Sequence, residues 1–147
     1  MDNPSNRFIA RVALLSITAL ASAAALASPP ATVATCDGIK AAYPILGTQC
    51  ASSYININHE PENAADRLKT YTARKDVMQI FRKVLLCNGM YGAAGPAQQQ
   101  FKSEEEGHLK ALEDLHKSMI KNGDPKVPAL YTASDLKSVS MTKQQCK

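Results

Sequence analysis

The stretch that most constrains this chain runs from residue 72 to residue 88, TARKDVMQIFRKVLLCN. Its large apolar residues recur at helical spacing, and its charged residues fall together on the opposite side. The apolar side is wide for a surface helix, which predicts neighbours on more than one side. Asn88-Gly89 predicts a left-handed stop. We therefore predict a central helix whose buried face consists of Val77, Met78, Ile80, Phe81, Val84 and Leu85.

The N-terminus has the three-part plan of a secretory signal. Arg7 and Arg11 precede an apolar run over residues 12–27, which ends in a small-x-small cleavage site at Ala27. The run is short for a membrane-spanning helix and Pro29-Pro30 follows it, which favours cleavage over a retained anchor. We predict a secreted, extracellular protein with no membrane span after cleavage. The predicted divisions are a signal peptide (1–27), a flexible leader (28–35) and a single helical domain (36–147).

All four cysteines lie beyond the predicted signal peptide. An even number of cysteines in an exported chain predicts two disulfides. Three pairings are possible, and the favoured one joins Cys36 to Cys50, which is local, and Cys87 to Cys146, which would tie the tail to the central helix. A zinc site is disfavoured because the chain has no CxxC or HxxxH pattern. We predict no metal and no cofactor.

Two segments before the central stretch are less regular. Asp37 predicts the cap of a short helical segment that Gly47 closes. Residues 52–60 alternate apolar residues with asparagines and are predicted to be irregular. A further helix is predicted to begin at Pro61. The sequence leaves open whether this helix runs into the central one or breaks at a new cap on Thr72.

The second half of the mature chain is predicted to hold two more helices. Residues 89–100, with three glycines and a proline, predict a loop. The capping box of residues 103–106 predicts the start of a helix that Gly123 stops. A second box at residues 132–135 predicts a last helix reaching Met141. The predicted fold is all-α, a small disulfide-stapled bundle of four or five helices.

The charge and the motifs of the chain favour a binding protein over an enzyme. Removal of residues 1–27 leaves 15 basic and 12 acidic residues and changes the formal net charge from +4 to +3, which is mild and mixed in sign and does not favour nucleic acid. The chain has no Gly-x-Ser-x-Gly elbow and no phosphate-binding glycine loop, so we predict no catalytic residues. Glu104, Glu105 and His108 share one side of the predicted helix and could bind a divalent metal weakly, but we interpret them as capping acids beside a solvated histidine. His116 is interpreted as a partly buried core histidine. The enzymatic alternative is a small secreted hydrolase using His108 and His116.

An apolar ligand is a second way for such a protein to act. A bundle of amphipathic helices that contains methionines can leave an apolar cavity, although methionines at helical spacing also serve as core filler. The periodicity does not separate this possibility from a surface that binds a partner protein. The predicted lining of an apolar-ligand site is Met78, Phe81, Leu85, Leu112 and Met119.

The cysteine-bearing segments resemble the elicitins, small all-helical sterol carriers that oomycetes secrete and that provoke plant defence. The similar features are an apolar helix running into Leu85-Leu86-Cys87, the Val127-Pro128 connector and a terminal helix closing on Cys146. The resemblance implies an apoplastic, non-enzymatic protein whose last cysteine pairs with the central one. It does not carry over the sterol contacts, because Lys83 and Ser138 stand where the family has tyrosines. This chain also has four cysteines where the family has six.

We predict a secreted, non-enzymatic protein of the effector or elicitor type. Its expected partner is an extracellular host protein or a small apolar ligand such as a lipid or sterol. A protease-inhibitor-like or sequestering protein is a further alternative, in which the predicted loop over residues 89–100 would meet the target.

Overall fold

The computed structural model describes residues 30–147, and the predicted signal peptide of residues 1–27 lies outside that range. The predicted all-α class is confirmed, because residues 30–147 contain helices and no strand. The elements are α1 (Cys36–Ala42), α2 (Pro44–Tyr54), α3 (Ala64–Met90), α4 (Pro96–Lys121), α5 (Ala133–Lys137) and a terminal 3₁₀ helix (Lys143–Cys146).

The central helix is longer than the sequence predicts. Asn63 caps α3 by accepting a hydrogen bond from the Asp66 amide. The helix passes Thr72 without a break, and the Thr72 hydroxyl donates to the Leu68 carbonyl one turn earlier instead of capping a new helix. The predicted stop at Asn88-Gly89 is wrong. The left-handed residue is Gly92, with φ of 76°, two residues beyond the end of α3.

The loop between α3 and α4 covers only residues 91–95, so the predicted loop over residues 89–100 is wrong at both ends. Gly95 adopts a φ of 80° and Pro96 opens α4, where its missing amide hydrogen costs nothing. Ser103 therefore lies inside α4, about two turns from its start. The capping box predicted there does not form. The predicted stop at Gly123 is confirmed, with a φ of 65°.

The first two helices meet at close range. Thr35 caps α1 through a 3.0 Å hydrogen bond from the Gly38 amide, so the cap predicted on Asp37 is wrong. Gly47 does not end a helix as predicted, and α2 continues to Tyr54. A side chain at Gly47 would collide with the backbone of Lys40 in α1. The glycine is therefore explained by the approach of two helices and not by a turn.

The last helix begins as predicted and ends early. The Thr132–Asp135 capping box is present in full. α5 ends at Lys137, so the predicted extension to Met141 is wrong. Before α5, the Tyr71 hydroxyl accepts from the Tyr131 amide at 2.8 Å and donates to the Ala129 carbonyl at 3.1 Å. These bonds hold the connector against α3.

Both disulfides have the pairing that the sequence favours. Cys36–Cys50 joins the start of α1 to α2. Cys87–Cys146 joins α3 to the terminal 3₁₀ helix across a separation of 59 residues. All four cysteines are therefore paired.

Two apolar clusters lie along α3, which confirms it as the centre of the core. The first cluster lies against α1 and α2 and contains both disulfides; its largest members include Ile39, Tyr43, Leu46, Val77, Phe81, Val84 and Phe101. The second lies farther from the disulfides and consists of Tyr71, Met78, Leu112, Met119 and Leu136.

Asn88 connects the chain before α1 to the core. Its fully buried Oδ1 accepts from the Ala31 amide at 2.9 Å and the Tyr43 hydroxyl at 2.8 Å. Its Nδ2 donates to the Ala31 carbonyl at 2.9 Å and to Gln98 at 3.2 Å. Burial raises the pKa of Tyr43 to about 12, so its hydroxyl keeps the proton it donates. The flexible leader (28–35) stays a prediction; within it, Ala31 is buried and Thr35 caps α1.

Candidate functional site

A surface groove lies where the start of α1, the end of α2, α3 and α4 meet. We call it the α1–α2 groove. Its volume is about 530 Å³. Its base includes Phe81, and the Cys36–Cys50 disulfide holds α1 and α2 together beside it. The lining residues are Ala34, Thr35, Cys36, Asp37, Ala51, Tyr54, Ile55, Phe81 and Glu104.

The rim of the groove exposes two large apolar side chains. Tyr54 is 46 % exposed and Ile55 is 82 % exposed. They lie where α2 ends, and the following amide of Asn56 bonds back to Ser53 as the chain turns away. No element therefore covers them among the described residues. Single exposed apolar residues are common, but two adjoining ones beside a groove make this surface a candidate interaction site.

Two carboxylates line the same groove from different elements. Asp37 belongs to the first turn of α1, and Glu104 lies on α4. Both residues are exposed, and neither forms an ion pair with a described residue. The groove therefore combines an apolar base with two uncompensated negative charges.

The five residues predicted to line an apolar-ligand site do not lie together. Phe81 lines the α1–α2 groove. Met78, Leu112 and Met119 are fully buried members of the second apolar cluster, and none of them lines the groove. Leu85 packs partly buried against the first cluster. The structure thus places three of the five in a filled core.

One acid of the start predicted around Ser103, Glu105, is instead part of a buried interface. Glu105 and His108 are both buried, so the interpretation of a solvated histidine beside capping acids is wrong. Glu105 Oε1 lies 2.9 Å from Arg82 of α3. The other carboxylate oxygen and Arg82 Nε have no hydrogen-bond partner among the described residues. Burial raises the pKa of Glu105 in spite of the arginine.

His108 and Arg74 form a second polar contact between α3 and α4. The His108 ring stacks on Phe81 at 5.7 Å between centroids, and its Nδ1 lies 3.5 Å from Arg74. The same guanidinium lies 3.1 Å from His59 Nδ1. Burial, with a smaller effect from the Arg74 charge, lowers the pKa of His108 to about 4. The imidazole is therefore neutral at neutral pH and can accept from the arginine.

The lowered pKa of His108 predicts that the folded chain loses stability in acid. The unfolded chain binds a proton at His108 near pH 6.5, while the folded chain binds it only near pH 4, so stability falls as the pH drops between these values. The loss reaches about 2–3 kcal/mol at the acid end. The raised pKa of Glu105 acts in the opposite sense over the lower part of this window.

Replacing His108 by glutamine should remove that part of the pH dependence. Urea unfolding at a series of pH values between 7 and 4 is the measurement. The matched control is His59→Gln, whose ring is exposed and which should keep the acid loss. If His108→Gln loses as much stability between pH 7 and pH 4 as the parent does, a group other than His108 causes the loss.

His116 is partly buried, as predicted from its place on the apolar side of α4. Its Nε2 lies 3.0 Å from the Pro128 carbonyl, and its ring is 6.4 Å from that of Tyr71. The hydrogen bonds of His108 and His116 to described residues thus go to an arginine and a backbone carbonyl. These contacts do not resemble a nucleophile–base pair. Within residues 30–147, no group of three or more metal-ligating side chains comes together.

The groove is not predicted from the sequence, although its strongest local signal is visible there. Tyr54 and Ile55 stand next to each other among serines and asparagines, in the segment predicted to be irregular. Their exposure depends on where α2 ends, and that prediction failed because Gly47 was interpreted as a stop. Asp37 and Glu104 are 67 positions apart in the chain and meet only through tertiary packing.

Comparisons with known proteins leave the family open. No protein-family model, curated protein or solved structure was found to match the chain. The resemblance to the elicitins therefore stays a prediction. Among residues 30–147, no helix combines the length and the apolar character needed to cross a membrane.

Proposed function

We propose that this chain is an exported, non-enzymatic binding protein of the effector or elicitor type, which recognises a partner protein through the α1–α2 groove. One observation carries the proposal. Tyr54 and Ile55 remain exposed at the rim of an apolar groove, and a partner would remove their surface from water. Export is supported by the predicted signal peptide and by two disulfides, which are typical of oxidising compartments.

A partner protein fits the groove better than a small apolar ligand. Sites for small ligands usually bury most of the ligand surface. In the α1–α2 groove, Ile55 is 82 % exposed, so a sterol resting against it would stay largely in water. Met78, Leu112 and Met119 fill the interior of the second cluster. Lys83 and Ser138, at the positions of the elicitin tyrosines, give no support to sterol carriage.

Much of the loop through which a sequestering protein would contact its target is helical. That alternative relied on a loop over residues 89–100, but residues 89–90 belong to α3 and residues 96–100 to α4. Deleting the whole segment would remove parts of two helices. The exposed connection that remains is residues 91–95.

The proposal is tested by placing a single negative charge at the rim of the α1–α2 groove. Replacing Ile55 by glutamate should weaken partner binding by at least about tenfold, because truncated or charged hot-spot residues typically cost more than 1 kcal/mol. The free energy of unfolding should change by less than about 0.5 kcal/mol, since the side chain is exposed. Binding is measured with peptides selected by phage display against the oxidised chain of residues 28–147.

The matched control is Ile45→Glu. Ile45 is 63 % exposed on the same helix, α2, but does not line the groove. This variant should bind the selected peptides as the parent does. If peptides bind Ile55→Glu and the parent equally, the groove is not the contact site.

A further inference from the structure

We propose that the partner segment that enters the α1–α2 groove carries a large apolar side chain next to a lysine or arginine, whose cation lies between Asp37 and Glu104. This inference rests on the proposed function and specifies the partner's chemistry. The base of the groove accounts for the apolar side chain. Phe81, Ala51 and the Cys36 side of a disulfide contribute apolar surface to the lining, against which a polar group of the partner would lose its hydrogen bonds to water without replacement.

The two carboxylates account for the positive charge. Asp37 and Glu104 line the groove from α1 and α4, and neither has a cation among the described residues. Two cations of α3 and α4 pair with other carboxylates of α4. Lys102 lies 4.0 Å from Glu106, and Arg82 lies 2.9 Å from Glu105. The negative charge at the groove is therefore left for an occupant.

The charge of the rest of the chain increases the selectivity of this arrangement. Residues 28–147 contain 15 basic and 12 acidic residues, a mild formal net charge of +3, so the negative groove differs in sign from the chain as a whole. The groove presents the opposite sign together with an apolar base. Tyr54 adds an aromatic face at the rim, on which a guanidinium or ammonium group can rest. A segment that is apolar and basic satisfies all of these features at once.

The experiment selects twelve-residue peptides from a random phage-displayed library on the oxidised chain of residues 28–147. We expect the selected peptides to be enriched in a large apolar residue within two positions of lysine or arginine. Their affinity should fall at least about tenfold between roughly 50 and 500 mM NaCl, because salt screens the exposed carboxylates. The double variant Asp37→Asn/Glu104→Gln should weaken binding by at least about tenfold and flatten the salt dependence.

The matched control is Glu60→Gln/Glu62→Gln, which removes the same charge from exposed positions that do not line the groove. This control should bind as the parent does. Peptides that depend on Ile55 but show no basic enrichment, or bind the Asp37→Asn/Glu104→Gln variant unchanged, would overturn this inference and leave the proposed function standing. Peptides that do not depend on Ile55, or a library that yields no binder, would overturn both.

Discussion

Replacing Asn88 by alanine is expected to lower the free energy of unfolding by about 3–5 kcal/mol. The side chain is fully buried and makes four hydrogen bonds, which reach the segment before α1, the Tyr43 hydroxyl and α4. Alanine removes all four and leaves the Ala31 amide and the Tyr43 hydroxyl buried without a partner. A buried donor or acceptor left without a partner lowers the free energy of unfolding by more than the net contribution of one hydrogen bond. Urea unfolding at neutral pH is the measurement.

Two further variants separate this mechanism from a simple loss of volume. Asn88→Asp keeps the size and one acceptor but replaces the donor to the Ala31 carbonyl, so it should destabilise the fold nearly as much as alanine. Asn122→Ala is the matched control, because Asn122 is exposed and its amide bonds only to Ser118 within its own helix end. It should cost less than about 1 kcal/mol. If Asn88→Ala and Asn122→Ala cost the same, the Asn88 contacts do not stabilise the fold as described.

Removing the Cys87–Cys146 disulfide by a double alanine substitution is expected to cost about 4 kcal/mol, against about 3 kcal/mol for Cys36–Cys50. The difference follows from the separations of 59 and 14 residues, because a longer closed loop removes more entropy from the unfolded chain. The measurement is urea unfolding of the two double variants beside the parent. Each variant keeps the other disulfide as an internal control.

Reduction of the parent chain is expected to remove both contributions, about 7 kcal/mol together, which is comparable to the whole stability of a small domain. The reduced chain should therefore be largely unfolded. A helical far-ultraviolet spectrum that survives full reduction would contradict this account of the disulfides. A larger loss of stability on removal of Cys36–Cys50 than on removal of Cys87–Cys146 would contradict it as well.

Local signals predicted the parts of the fold that local interactions determine. The α5 capping box needs only Thr132 and Asp135, and the stop at Gly123 needs only its own positive φ. The apolar face of α3 follows from helical periodicity alone. The favoured disulfide pairing combined sequence separation with the expectation that the tail returns to the central helix, and the structure has that pairing.

Signals with two possible causes misled the prediction wherever tertiary contacts decided the outcome. Asn88-Gly89 has the composition of a helix stop, but Asn88 serves the core while the helix continues to Met90. Gly47 is a residue type that often ends a helix, but here the absence of a side chain lets α1 approach α2 closely. Ser103 begins a good capping pattern, but Gly95 and Pro96 start the helix earlier. In each case a close approach or an earlier cap overrides the local preference.

The candidate site was the least predictable part. The five residues predicted as ligand lining are apolar and spaced as on a helix, and those are also the properties of core residues. Three of them accordingly form part of the filled second cluster. The groove depends on two residues left uncovered at the end of α2 and on carboxylates from two distant segments, which no sequence period brings together.

The most direct test of contact through the α1–α2 groove is a nuclear magnetic resonance titration of the isotope-labelled, oxidised chain with a selected peptide. The account predicts that the shifted resonances are those of the groove, with Ala34, Tyr54, Ile55 and Phe81 among them, and that Leu112 and Met119 in the second cluster stay unchanged. Shifts concentrated at Met78, Leu112 and Met119, whether caused by the peptide or by an added sterol, would place the binding site in the interior and contradict the account.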